Sequence, residues 1–237
     1  MAEAMPLSPA MPKPGDVSPG GMGAVGTGGL PKGQIERGVS YVKSDLLETK
    51  SLLHFANGGG LSVAYVFSRE GSIYGTHMTS VRLTMKNTTN QPLACVKVGA
   101  QRLESGMEMQ PFNEVALGAE QTQTANIYID FAGKIQPAAF DLSTDKGTYP
   151  VTVAPPAGEL IVPLKMDAET WGRVAGGLKG MHEHKQKLDA APEGARHEVE
   201  AKVLALCNMS VVPGGEEGAF LFAAATVCAD ESPVLVS

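Results

Sequence analysis

His182-Glu183-His184 brings two imidazoles and a carboxylate together, the ligand types that hold a zinc ion. The spacing does not suit a helical site. Residues two apart on a helix point roughly 200° from each other, whereas a zinc helix carries its histidines four apart, as in HExxH. On a strand the two could share a face, but no third ligand lies nearby in the sequence. The segment reads as solvated loop, and His197 as a surface residue. Cys95, Cys207 and Cys228 form no CxxC and have no paired spacing, so they read as reduced thiols packing as small apolar groups. No GxSxG, no Cys with an adjacent His signature and no nucleotide fingerprint occurs. The glycines of the first 40 residues lack the preceding strand, the following helix and the Gly-Lys-Ser/Thr that a phosphate loop needs. The sequence therefore predicts no catalytic residue, no metal ligand, no cofactor and no enzymatic activity.

What remains is chemistry of contact. The sole tryptophan, Trp171, is a core anchor or part of a peptide-binding surface, since Trp is enriched in interface hot spots. It is the one candidate partner-binding residue, chosen by residue type. Asn87-Thr88-Thr89 and Asn208-Met209-Ser210 fit the glycosylation sequon but read as turn and strand-end residues. Asp45-Leu46-Leu47-Glu48 has an acidic-dileucine look and reads as the chain entering the fold. Ser8-Pro9 and Ser18-Pro19 fit proline-directed phosphorylation. Net charge is −6, which argues against a nucleic-acid partner, because such partners need clustered Lys and Arg. No apolar run approaches the roughly 18–20 residues of a membrane span, and no signal-peptide layout opens the chain.

The elements that must position these residues are mostly strands. Ala125, Ile127, Ile129 and Phe131 alternate with Thr124, Asn126, Tyr128 and Asp130, the pattern of a half-buried strand. Leu61 to Phe67, Val81 to Met85, Ala94 to Val98, Ala138 to Leu142 and Tyr149 to Val153 repeat it. Shorter extended pieces are expected at 52–55, 107–112 and 159–164. Turn residues punctuate them at 57–60, 87–92, 133–134 and 145–147. Such spacing predicts two stacked sheets. Hydrophobic content is 43% with only 5% aromatic, so the core must be mainly aliphatic. Past Pro163 the period changes: Trp171, Val174 and Leu178 are helically spaced, with Asp167 as N-cap and Glu169 in the first turn. Residues 181–197 read as polar loop. Val199, Ala201, Val203 and Ala205 read as a strand, as do Phe220 to Ala224 and Val234 to Val236.

In order and spacing, LLHFANGGGLSVAYVFSRE (52–70), MTSVRLTMKNTTNQ (78–91), VKVGAQRLESGMEMQPFNEV (96–115), IDFAGKIQPAAFDLST (129–144), VAPPAGELIVPLKM (153–166), GGLKGMHE (176–183) and VVPGGEEGAFLFAAATV (211–227) resemble the C-terminal appendage, or ear, of the beta subunit of the AP-3 adaptor complex. The resemblance implies a mainly β protein: an immunoglobulin-like β-sandwich followed by an α+β platform subdomain. The expected divisions are 1–45 as a flexible Pro/Gly-rich linker, 46–164 as the sandwich and 165–237 as the platform. It implies a non-enzymatic role in vesicle-coat formation and transport from Golgi and endosomes to lysosomes and related organelles. Accessory and coat proteins would bind through short peptide motifs, adaptor subunits would be partners in the full-length parent, and the location would be cytoplasmic, on vesicle membranes only through the complex. The resemblance leads to the expectation that the family's helical trunk is missing from this chain and that the family's fold continues past VLVS through a further strand and a helix. A lost helix exposes about three or four large side chains at about 1.5–3 kcal/mol each, against a domain stability of about 5–15 kcal/mol. The platform is thus expected to be loosened while the sandwich holds. The competing expectation is an extracellular adhesion-type sandwich, which requires disulfides and used sequons.

Overall fold

The computed structural model describes residues 36–38, 47–178, 183–186, 195–215, 218–228 and 231–237. Its strands begin with β1 (Glu36–Arg37), β2 (Lys50–Leu53), β3 (Leu61–Phe67), β4 (Thr79–Asn87) and β5 (Leu93–Arg102). They continue with β6 (Glu108–Gln110), β7 (Val115–Leu117), β8 (Thr122–Asp130), β9 (Ala138–Thr144) and β10 (Gly147–Val153). After a 3-10 turn at Ala157–Glu159 come β11 (Ile161–Lys165), helices α1 (Ala168–Gly177) and α2 (Arg196–Leu206), then β12 (Ser210–Val211), β13 (Phe222–Thr226) and β14 (Pro233–Val236).

Alternation decides the first unit. In β3 every second residue from Leu61 to Phe67 is buried, and β4 pairs with it antiparallel from Leu61↔Asn87 to Phe67↔Val81. One sheet runs β2-β3-β4-β8-β6 and the other β10-β9-β5-β7. Leu61, Leu83 and Ile127 of the first share one core with Leu93, Phe140 and Val153 of the second, and all six are fully buried. Burying such aliphatic side chains contributes about 1.5–3 kcal/mol each, so a shared core fixes which face of each strand points inward.

The last stretch expected in the sandwich, 159–164, lies elsewhere. β11 pairs with β13 (Val162↔Ala225) and with β1 (Arg37↔Leu164), not with any sandwich strand. The third sheet is β1-β11-β13-β12, with β14 on the other edge of β13. A Cβ at Gly158 would lie 2.3 Å from the Leu206 carbonyl oxygen, so the chain can pass the end of α2 only as glycine. β1 also corrects the reading of 1–45 as linker throughout, because Glu36 and Arg37 are paired strand residues. The remainder of that stretch, 1–35 and 39–45, with Ser8 and Ser18, lies outside the described residues. Leu47 is buried, as a chain entering the fold requires.

β13 has a hydrophobic layer on each face. Ala223 and Ala225 pack with Leu164, Met166, Val212 and the half-buried Trp171 of α1; Phe222 and Ala224 pack with Met209 and the half-buried Val203 and Leu204 of α2. The helix expected after Asp167 forms, with the Asp167 carboxylate accepting from the Thr170 N–H at 2.8 Å. The strand expected at 199–205 does not. That segment is α2, and its alternating Val and Ala misled because Ala is the strongest helix former. Val199 and Val203 are four apart and share a helical face, Arg196 pairs with Glu200 at 2.8 Å, and Glu198 accepts from the Ala195 N–H. Of the expected loop 181–197, residues 183–186 are coil, 196–197 open α2, and the rest apart from Ala195 lies outside the described residues.

Candidate functional site

Trp171 sits on the first turns of α1, which its N-cap fixes in direction. Its indole Nε1 donates to the Phe222 carbonyl at 3.0 Å, tying α1 to β13. One side of the ring packs into the layer with Leu164 and Leu235; the rest lines a groove of about 790 Å³ with Ala175, Leu178, Val236 and the coil Glu183–Gln186. The ring is therefore held by a hydrogen bond and partly open to solvent, the state of an anchored aromatic with free apolar surface. His184 lies on this rim, exposed; His182 lies outside the described residues. His197 is exposed at the start of α2. Among the described residues no group of three His, Cys, Asp or Glu could hold a metal.

The polar centre of the molecule was not singled out by sequence. Arg69, just beyond β3, has φ of 53°, a left-handed backbone that non-glycine residues seldom adopt. That turn sends its guanidinium out of the sandwich and into the second unit, where only 2% of the side chain is exposed. Nε donates to both Glu159 oxygens at 3.0 and 2.9 Å, and Nη2 donates to Glu159 as well. Nη1 donates to the Leu204 carbonyl, and Nη2 reaches the Ala205 carbonyl at 3.1 Å. These carbonyls end α2 and lack intrahelical partners, so a cation there also meets the negative end of the helix dipole. Burial pushes the Glu159 carboxyl above its usual range, and the bonds from Arg69 oppose that shift. Beside them Asn208 is buried, donates from Nδ2 to the Ile161 carbonyl at 3.0 Å, and leaves its Oδ1 without a partner.

The remaining singled-out residues are structural. Asn87 is fully buried: Nδ2 donates to Gln91 and Gly118 carbonyls at 2.7 and 2.9 Å, and Oδ1 accepts from Thr89. Neither sequon asparagine is open to a glycan, since Asn208 too is buried. The cysteines are free thiols; Cys95 is exposed, and burial pushes the half-buried Cys207 thiol up in pKa. No helix among the described residues is long and apolar enough to cross a membrane.

A family model for the C-terminal part of the clathrin-adaptor complex-3 beta-1 subunit matches residues 6–136, and one described as AP-3 complex subunit beta-1, C-terminal domain, matches 158–237. The chain belongs to the family of AP-3 beta C-terminal regions. The second match opens at Gly158, where the chain turns into the third sheet. Within the family, the chain is 36% identical over 182 residues to AP-3 complex subunit beta-1 of Bos taurus and 35% identical over 182 residues to that of Homo sapiens. Each alignment covers 76% of this chain and 17% of the relative. The AP-3 complex subunit beta of Dictyostelium discoideum is 28% identical over 131 residues, covering 53% of this chain and 12% of the relative. The chain thus spans about a sixth of the length of the mammalian proteins it matches.

Proposed function

We propose that this chain is a non-enzymatic appendage of a vesicle-coat adaptor, recruiting accessory and coat proteins during transport from Golgi and endosomes to lysosomes and related organelles. The sandwich carries the second unit, and the second unit presents Trp171 to short peptide motifs. One observation supports this reading most: the sole tryptophan has its N–H satisfied by Phe222 yet lines an open groove beside α1 and β14, where Leu178 and Val236 face the charged coil Glu183–Lys185. Association with adaptor subunits belongs to the full-length parent, and contact with vesicle membranes follows through that complex. Family membership supplies the adaptor context; the groove supplies a place for a peptide side chain. The adhesion-type alternative is not favoured, since it needs exposed sequons and both asparagines are buried.

The test is capture of vesicle-coat proteins from cytosol on the immobilised full chain, compared with Trp171→Ala. Truncating a hot-spot aromatic costs about 2 kcal/mol or more, so coat-protein recovery should fall by roughly 30-fold. Circular dichroism of the variant checks that the fold survives. Equal recovery by both forms removes Trp171 from the site, and recovery of no coat protein by either form removes the recruiting role.

A further inference from the structure

The outer edge of β11 is covered by an earlier part of the same chain. Glu36 and Arg37 of β1 lie opposite Lys165 and Leu164, and the Gly38 N–H donates to the Pro163 carbonyl at 2.8 Å. Backbone groups alternate sides along a strand, so Pro163 and Lys165 turn theirs to this same edge. Among the described residues β1 pairs with no other strand, and residues 39–49 separate it and Gly38 from β2. It sits on the sheet as a short ligand would, an extended segment laid antiparallel on an edge and joined to the rest by a tether. Beyond Gly38 the edge runs on past Ile161 and Val162, which meet no strand on that side among the described residues. A row of backbone donors and acceptors at a sheet edge is a template for an extended chain.

The seated segment also shows what fits. A Cβ at Gly38 would lie 3.2 Å from the Pro163 Cβ, so the position opposite Pro163 takes glycine for want of space. Two positions earlier the segment faces Lys165, which is exposed. Opposite charges across a ladder attract, so an acid suits that position, and β1 has Glu36 there. We propose that the outer edge of β11 is a strand-accepting site for an extended segment of a partner protein, with an acidic residue and, two positions on, a glycine. β1 occupies the site in cis until such a segment displaces it. A tethered strand competes at an effective concentration on the order of millimolar, but β1 pairs with only part of β11. A partner segment that runs on past Ile161 pairs with all of it. The site lies across β13 from β14 and is separate from the Trp171 groove. The inference rests on the recruiting reading above only for which protein supplies the segment.

The test uses the ¹⁵N-labelled full chain and a peptide with the sequence of residues 34–40, QIERGVS, capped at both ends. Gly38→Pro removes the N–H that the Pro163 carbonyl accepts and puts ring atoms where one Cβ is already tight, so it frees the edge. Unchanged Trp171 emission checks that the second unit stays folded in this variant. The peptide should give saturable shifts at the Lys165 and Ile161 amides of Gly38→Pro. Its affinity there should be roughly ten-fold or more above that for the natural chain, where tethered β1 competes. The same peptide with valine for its glycine should bind roughly ten-fold or more weakly, because the added methyl groups meet Pro163. No saturable shift in Gly38→Pro overturns the site, as does equal affinity for the two chains or for the two peptides. Sedimentation of the natural chain gives one more outcome: a dimer that Gly38→Pro abolishes makes the occupant a second copy exchanging β1, and overturns the partner. Peptide binding at the edge without coat-protein capture keeps the site and removes the recruiting role; capture without any peptide shift removes the site and leaves that role standing.

Discussion

Arg69 gathers Glu159 and two carbonyls of α2 onto one side chain, and its removal has a definite sign. Arg69→Ala leaves the Glu159 carboxylate buried without its partner and frees the carbonyls at the end of α2. Breaking a buried pair from one side costs about 3–5 kcal/mol. The double variant Arg69→Met with Glu159→Met should recover much of that loss, which denaturant melts of the three proteins will read. Acid gives a second measurement. Because burial raises the Glu159 carboxyl in the folded state, folding favours its protonated form. The contribution of this group is fully present below the ordinary carboxylate pKa and declines as pH rises through the raised one. Melting temperatures followed downward from neutral pH should therefore show the natural protein gaining on Glu159→Gln. None of this is visible along the chain: Arg69 and Glu159 stand 90 positions apart, and the contact depends on a left-handed backbone at a residue type that gives no warning of it. Trp171 is different. Its identity alone marked it, though whether the ring faced a core or a groove depended on α1 meeting β13.

The elements divide by how strictly their pattern excludes alternatives. β3, β4 and β8 are legible because large apolar residues recur at every second position, Leu61 to Phe67, Val81 to Met85 and Ile127 to Phe131, so that one face is marked for burial. β7 has three residues, too few for a period to register. Along α2, Val199, Ala201, Val203 and Ala205 alternate as a strand would, but Ala201 and Ala205 are small and commit to neither period. β11 was correctly read as extended but given the wrong neighbours, since strand pairing depends on where the preceding turn points. Within that turn Gly158 lies tight against the end of α2. Gly158→Ala would drive a methyl group into the Leu206 carbonyl, and overpacking of this kind costs about 1–3 kcal/mol. The expected outcome is a lowered melting temperature with faster amide exchange across Arg196–Leu206 and unchanged exchange in β3 and β4. At the other helix, Asp167→Ala removes the acceptor for the Thr170 N–H and should fray the first turn of α1, seen as faster exchange at Thr170 and Trp171.

Across the whole molecule, apolar burial is uneven. The sandwich core draws on both of its sheets, while the second unit divides its apolar residues between two thin layers on either side of β13. Less buried area means less to offset the entropy of ordering the chain. The two units should therefore differ in resistance to denaturant. Trp171 emission, which reports only the second unit, should change at a lower urea concentration than that at which the amide-exchange protection of β3 and β4 is lost. Arg69→Ala should widen the gap, because the coupling between the units goes with it. Coincident transitions in both proteins would mean the units unfold as one regardless of the clamp.

The two-residue pairing of β1 has a mechanical meaning. Glu36 and Arg37 attach to β11, and β14 attaches to β13, so both lie on the same sheet. Tension applied between Glu36 and Val236 would run crosswise through β1, β11, β13 and β14, and the sandwich would stay unloaded while that path held. A tug would first peel away the two-residue rung β1, before either sheet of the sandwich felt the pull.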